Sequence, residues 1–332
     1  MALPSPNDKR HVFICGLHRS GTTVLAQRIG KFKDCTGFEG TGAIMDEGQF
    51  LQDVYPPLVV HGGVGKFGFA PESHLTEKSS LLTPTNIARL RQCWEAHWDG
   101  SRAVRIEKTP GNLVMSRFLQ AAFPNAHFIV IKRHPVAVSL ASQKWSRSPI
   151  HELFEHWLRC YEMFEADKRY LAHVYELSYE DYIENPARYL KQIADFIGVE
   201  CSSFCQEKAA AEYNKKYFAQ WDQLLGTSGC GSYYRYIARL YDGRFAKYGY
   251  CLVSPSTETN DPLGKRTVID SVVGPLLSVA WDLYAVVWRA DLQLRIAVQR
   301  LAHRYLPGKI RRVVRNAQAS IGRHNLWKRA ED

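Results

Sequence analysis

The chain has 332 residues, of which 45% are hydrophobic and 23% charged, with a formal net charge of +10. That length and composition suit one large globular α/β domain with an appendage. The positive charge fits anionic ligands or surfaces, while the lack of zinc-ligand spacing, RNA-binding aromatic motifs or basic-aromatic ladders argues against nucleic acid.

In chain order, the first ten residues carry no apolar run, and a core strand follows at once. The expectation is therefore no signal peptide, no N-terminal anchor and a reducing, cytoplasmic setting. Val12-Phe-Ile-Cys15 reads as a buried strand. A loop starts at Gly16 and turns at Gly21, Thr22 to Ile29 reads as a helix, and Gly30 is its stop signal. The stretch from Thr41 to Thr85 is polar and glycine-rich, long enough to be functional or mobile. Ile87 to Trp98 reads as a helix, Ala103 to Ile106 as a strand ending in Glu107-Lys-Thr-Pro110, and Leu113 to Phe123 as a helix. Ala126 to Ile131 is the clearest buried strand and ends in Lys132-Arg-His-Pro135. Helices follow to Trp145 and from Glu152 to Leu171, then a strand from His173 to Leu177 that leads to Ser178-Tyr-Glu-Asp181. A further helix starts near Pro186 and ends at Gly198. The α/β unit closes at Phe245 to Tyr250.

The alternation of strands and helices predicts an α/β fold: three layers, with a central, mainly parallel sheet between helices. The domain is expected over 1–252, a linker over 253–266 and a helical, basic extension over 267–332. Asp270, Asp282, Arg289 and Asp291 interrupt the apolar run of that extension, so no spanning helix is expected there. From His303 onward eight Lys/Arg face two Asp/Glu, a net +6. The eight cysteines form no C-x-x-C pair, so a zinc site is not expected. Cys15 and Cys160 fall where buried free thiols are ordinary.

A strand, a glycine loop and a helix N-terminus together make an anion cradle. Gly16-Leu-His-Arg-Ser-Gly-Thr-Thr23 has the phosphate-loop spacing, but Thr22 stands where that pattern has lysine. Its cations are His18 and Arg19. A nucleoside triphosphatase places a Mg²⁺-binding Asp at the end of an apolar strand; here the strand Phe128–Ile131 ends in Lys132-Arg133. A basic strand end can bind a second phosphate directly. The pattern predicts a ligand with two separate anionic groups and no metal, such as a nucleotide with a 5′ anion and a ribose phosphate.

With these residues the chain resembles the PAPS-dependent sulfotransferases over roughly residues 10 to 252. The Gly16–Thr23 loop is similar to the family's 5′-phosphosulfate loop, with Arg19 as in tyrosylprotein-type and many bacterial members. Arg133 with the following serines resembles the 3′-phosphate element. The family's serine lies eight residues after the Arg, and here that position is Ala141, flanked by Ser139 and Ser142. Tyr179-Glu-Asp181 is similar to the element whose Tyr lies near the adenine. The resemblance implies attack by an acceptor hydroxyl or amine on the sulfur of PAPS, with adenosine 3′,5′-bisphosphate leaving. It implies nucleotide binding by His18, Arg19, Ser20, Gly21, Thr22, Thr23, Arg133, Ser139, Ser142 and Tyr179. The backbone N–H groups of Ser20 to Thr23, with Arg19 and Lys108, are the donors expected at the developing negative charge. Phenol-type members place a base His where this chain has Pro110, whereas tyrosylprotein-type members use a Glu downstream of the first helix; that resemblance implies Glu39 as the base, with Glu47 second and His74 third.

The acceptor is open among glycans, lipid headgroups, and small alcohols or phenols. Nucleic acid is not expected as a partner; a homodimer, and membrane contact through the basic tail at the inner membrane surface, are open. The competing classes are a phosphate-loop kinase or nucleoside triphosphatase, and a noncatalytic nucleotide-binding adaptor held at membranes by its tail. Val272 to Leu301 is expected to pack as helix, on the domain or on a twin subunit.

Overall fold

The computed structural model describes residues 9–201, 214–227, 231–253, 271–284 and 286. Five strands form one sheet: β1 (Arg10–Cys15), β2 (Cys35–Gly37), β3 (Val104–Lys108), β4 (Ala126–Lys132) and β5 (Val174–Ser178). Their order is β2-β3-β1-β4-β5, and every pairing is parallel. β1 is central, paired with β3 from Arg10 opposite Val104 and with β4 from His11 opposite Ala126.

Side chains along a strand point to alternate faces. Phe13 and Cys15 of β1, with Phe128 and Val130 of β4, enter one core layer alongside Trp94, Phe118 and Trp157. Val12 and Ile14, with Ile129 and Ile131, enter the other alongside Leu25, Ile29 and Ile193. Both faces are covered, which is why these strands read as unbroken apolar runs.

The described helices are α1 (Thr22–Ile29), α2 (Pro84–Glu95), α3 (Ser116–Ala122), α4 (Pro135–Ser146), α5 (Ile150–Lys168), α6 (Tyr179–Glu184), α7 (Pro186–Ile197), α8 (Lys215–Gly226) and α9 (Gly231–Ala246). α7 shows how local chemistry fixes an element. Asn185 caps it by accepting from the Arg188 N–H at 3.2 Å, Pro186 occupies its first position, and Gly198 ends it at φ 67°. Leu190, Ile193, Ala194 and Ile197 form its buried stripe. Each of the large aliphatic residues stabilises the fold by about 1.5–3 kcal/mol.

Three expectations change. α2 begins at Pro84, because Thr83 Oγ1 accepts from the Asn86 N–H at 3.1 Å. The helix expected over Leu113–Phe123 is split into a 3₁₀ turn over Pro110–Val114 and α3. A side chain at Gly111 would meet Leu58 Cδ2 at 2.6 Å, so only glycine fits where this turn packs against Leu58. The stretch over 41–85 is ordered into five short 3₁₀ turns. Two of them hold Leu58 and Phe67 in the core.

The expected linker lies outside the described residues except for Val253, and so does the tail beyond 286. The helix over 271–284 packs Leu277 and Trp281 against the core. Among the described residues no helix is long and apolar enough to cross a membrane.

Candidate active site

The carboxyl ends of β1, β3 and β4, where ligands of open parallel sheets bind, carry the residues singled out by sequence. β1 runs into the loop 16–21, and Gly21 begins α1 in the left-handed region at φ 96°. A β-carbon there would meet Tyr179 Cδ2 at 2.7 Å. The Tyr179 ring therefore lies directly on the turn, and only glycine fits between ring and backbone. The Ser20 N–H is taken by the Leu17 carbonyl at 3.0 Å. The expected set of four donors therefore shortens to Gly21, Thr22 and Thr23, at the start of a helix whose first N–H groups lack intrahelical partners.

Arg19 is also left-handed, at φ 70°. Its guanidinium is exposed and lies 4.9 Å from the Trp145 ring centroid, while its carbonyl accepts from Arg133 Nη1 at 2.7 Å. Arg133 is buried. Its Nε and Nη2 donate to Asn214 Oδ1 at 2.8 and 2.7 Å, and its guanidinium sits 4.3 Å from the Tyr179 ring centroid. Asn214 Nδ2 donates to Glu180 Oε1 at 2.6 Å, which also accepts from the His134 N–H at 3.1 Å. Glu180 thus ties the turn after β4 to α6.

Lys132 departs from expectation. It forms ion pairs with Glu176 at 3.0 Å and Glu165 at 3.9 Å, so its charge is already matched by carboxylates. The cation that β4 contributes to the loop is Arg133 alone of the two.

At the end of β3, Lys108 and Glu47 form a buried ion pair, with Nζ 3.2 Å from Oε1. Lys108 also donates to the Met45 carbonyl at 3.0 Å, and Gln49 Nε2 donates to Glu47 Oε2. Burial raises the Glu47 pKa above the usual carboxylate value, opposed by Lys108 and Gln49. Glu107, also buried, holds this segment in place. Its Oε1 accepts from the Gly48 N–H at 2.9 Å and from Thr109 Oγ1 at 2.6 Å, and its Oε2 from Asn112 Nδ2. Burial raises the pKa of Glu107 as well, against those three hydrogen bonds.

Glu39, by contrast, is exposed. Among the described residues its side chain makes no hydrogen bond or ion pair, whereas Glu47 is brought to Lys108 and fixed there. His74 is committed elsewhere, its Nε2 at 2.7 Å from Asp167 Oδ2. The carboxylate that the fold sets beside Lys108 is therefore that of Glu47.

His18, Ser139 and Ser142 line a small cleft together with Leu17, Leu153 and His156. His18 Nδ1 and Ser139 Oγ are buried there without a hydrogen-bond partner. Burial, with help from the Lys108 cation, lowers the His18 pKa to about 4, so the ring is neutral at pH 7. Burial lowers His156 to about 3. Thr22 is buried and Thr23 half-buried at the helix start.

Sequence reasoning missed Asn214, Gln49, Glu180 and the holding role of Glu107. Glu107 had one legible signal, an acid near the end of a strand just before Lys108. Asn214 had none, since its partner lies 81 residues away.

A parallel sheet whose central strand feeds a glycine turn, with cationic groups at the flanking strand ends, defines an α/β protein of the phosphate-loop-like class. The family described as the sulfotransferase family matches residues 11–203. The chain belongs to that family and is a sulfotransferase. No curated protein matches it. Among solved structures it is similar to a sulfotransferase from Mycobacterium tuberculosis, at 17% identity over 64% of this chain and 77% of that one, TM-score 0.40. It is similar to the sulfotransferase domain of the Synechococcus olefin synthase, at 18% identity over 65% and 82%, TM-score 0.41. It is also similar to a sulfotransferase from Alicyclobacillus acidocaldarius, at 14% identity over 64% and 91%, TM-score 0.36.

Proposed function

We propose that the chain transfers the sulfuryl group of PAPS to an acceptor hydroxyl, with Glu47 as the general base. The observation that carries this reading is the buried Glu47–Lys108 pair at the end of β3. Burial moves the carboxyl toward the working pH, where a base is most effective. Lys108 holds the carboxylate in one place and supplies positive charge beside it. Glu107 is the positioning residue, because it fixes the Gly48 N–H next to Glu47.

The residues present fit the donor. Arg133 and the Gly21–Thr23 N–H groups are suited to hold its two anionic ends, and Tyr179 packs between them. The unpartnered His18 Nδ1 and Ser139 Oγ offer buried polar atoms on the adjoining cleft. Bound PAPS supplies the sulfuryl group, and the acceptor's proton passes to Glu47.

The acceptor is a hydroxyl-bearing molecule, and labelled PAPS offered to glycans, lipid headgroups, small alcohols and phenols would identify its class. With that acceptor, Glu47→Gln is expected to lower kcat by a factor of about 10²–10⁴ while leaving PAPS affinity unchanged. Glu39→Gln is expected to leave both intact. The reverse pattern would return the base to Glu39.

A further inference from the structure

The helix over 271–284 has two apolar faces. Its inner face packs on the domain. The Trp281 ring centroid lies 6.2 Å from that of Tyr233, and a β-carbon at Gly274 would meet Tyr236 Cβ at 2.6 Å. Asp282, the sole charged residue between 271 and 286, has Oδ1 2.9 Å from His151 Nε2. His151 Nδ1 in turn lies 2.8 Å from the Tyr233 hydroxyl. The one charge of the helix is therefore spent on the domain.

The outer face carries Val272, Leu276, Val279, Leu283 and Val286, which are 55–64% exposed. Alternating steps of four and three residues line them up as one stripe. A helix facing water puts polar and charged side chains outward; this stripe contains none.

We propose that this stripe lies flat on an anionic membrane surface. The charge of the chain supports that occupant. The sequence from His303 onward has a net +6, within a total of +10. An apolar face gains binding from buried area and a basic segment gains it from anionic headgroups; the two together anchor far better than either alone. Pairing through the stripe with a second copy is the weaker fit. One short helix face falls well below the about 800 Å² per partner of a standard interface, and it would bring two copies of a strongly cationic chain together. His151, which holds the helix, lies two residues from Leu153 on the wall of the cleft. The membrane-facing element thus docks on the end of α5 that borders the candidate site.

The test needs no turnover, so its outcome is independent of the transfer chemistry. The full chain would be sedimented with vesicles of pure phosphatidylcholine and with vesicles that also contain phosphatidylglycerol. Retention is expected on the anionic vesicles and should weaken as salt is raised. The double variant Leu276→Glu with Leu283→Glu should lower the vesicle-bound fraction about tenfold or more, with cooperative unfolding retained. Arg311→Gln with Arg312→Gln leaves the stripe untouched, and should weaken retention and flatten its salt dependence. No retention of the wild type at low salt, or equal retention of the stripe variant, would overturn the proposal. So would a wild-type dimer in solution that the stripe variant converts to monomer, which would assign the face to a second copy.

Discussion

Glu47 and Arg133 show how burial decides what a charged side chain can do. A carboxyl taken out of water is harder to ionise, and Glu47 is buried deeply enough for that effect to outweigh Lys108 and Gln49. Only the carboxylate form accepts a proton, so the rate should rise with pH as Glu47 ionises. The acid limb of the kcat/KM profile is expected above the ordinary carboxylate range, and Glu47→Gln should abolish it. An acid limb unchanged in that variant would assign the titration to another group. The raised pKa also means that the folded state holds this proton longer than the unfolded one. The stability contributed by the protonated carboxyl is present below the usual carboxylate pKa, and is lost as pH rises through the folded value. Arg133, with Asn214 and the Arg19 carbonyl as partners, is fixed beside the loop before any anion arrives. Replacing it by Ala should weaken binding of adenosine 3′,5′-bisphosphate by about 1.5–3 kcal/mol, the usual cost of a charged hydrogen bond. Calorimetric titration would read this directly, and unchanged affinity would remove Arg133 from the site.

The turn from β1 into α1 is a single device made of loop, helix start and the Tyr179 ring. Gly21→Ala would place a β-carbon 2.7 Å from Tyr179 Cδ2, in a backbone conformation at φ 96° that side chains disfavour. Left-handed strain alone costs roughly 1–2 kcal/mol, and the ring must move as well. Nucleotide affinity should fall and the melting temperature should drop by several degrees. Tyr179→Ala in the same background should restore part of the stability without restoring full affinity. This turn, β4 and α7 were legible in the sequence because their signals are local: an apolar run, a glycine at the turn, a cap and a stop. β2 was not, because Cys35–Gly37 is a three-residue strand with no periodicity of its own. It is held by pairing with β3. The turns over 41–85 were illegible for the same reason. Gln49 Oε1 accepts from the Leu58 N–H at 2.8 Å, and the Trp94 indole donates to the Gly48 carbonyl at 3.0 Å. Such tertiary bonds bring Glu47, and not the nearer-to-strand Glu39, to Lys108.

Across the whole molecule, histidines buried as neutral rings make the fold sensitive to acid. Burial lowers His11 and His156 to about 3, and His18, His127 and His134 to about 4. In the unfolded chain each titrates near 6.5. Between pH 6.5 and these lower values the unfolded state binds protons that the folded state refuses. Their contribution to stability is therefore complete above pH 6.5 and is lost as pH falls toward 4 and then 3. Each ring contributes a slope of about 1.4 kcal/mol per pH unit within its own window. The buried carboxyls Glu47 and Glu107 act in the opposite sense, losing stability as pH rises through their raised values. The carboxyls of Asp46 and Glu176, held below the usual carboxylate value by their hydrogen bonds and ion pairs, act in the same sense as the rings, and the expected net effect below pH 6.5 is destabilising. The melting temperature should be flat from about pH 8 to 6.5 and then fall steeply toward pH 4. The sites lie at both ends of the sheet: His11 and His127 sit at the start of β1 and β4, while His18 and His134 follow their carboxyl ends. No single substitution should therefore cure the loss. His156→Gln and His127→Gln, far apart and without shared partners, should each reduce the acid slope additively. A transition midpoint that holds steady down to pH 4 would show that these rings are protonated in the folded protein.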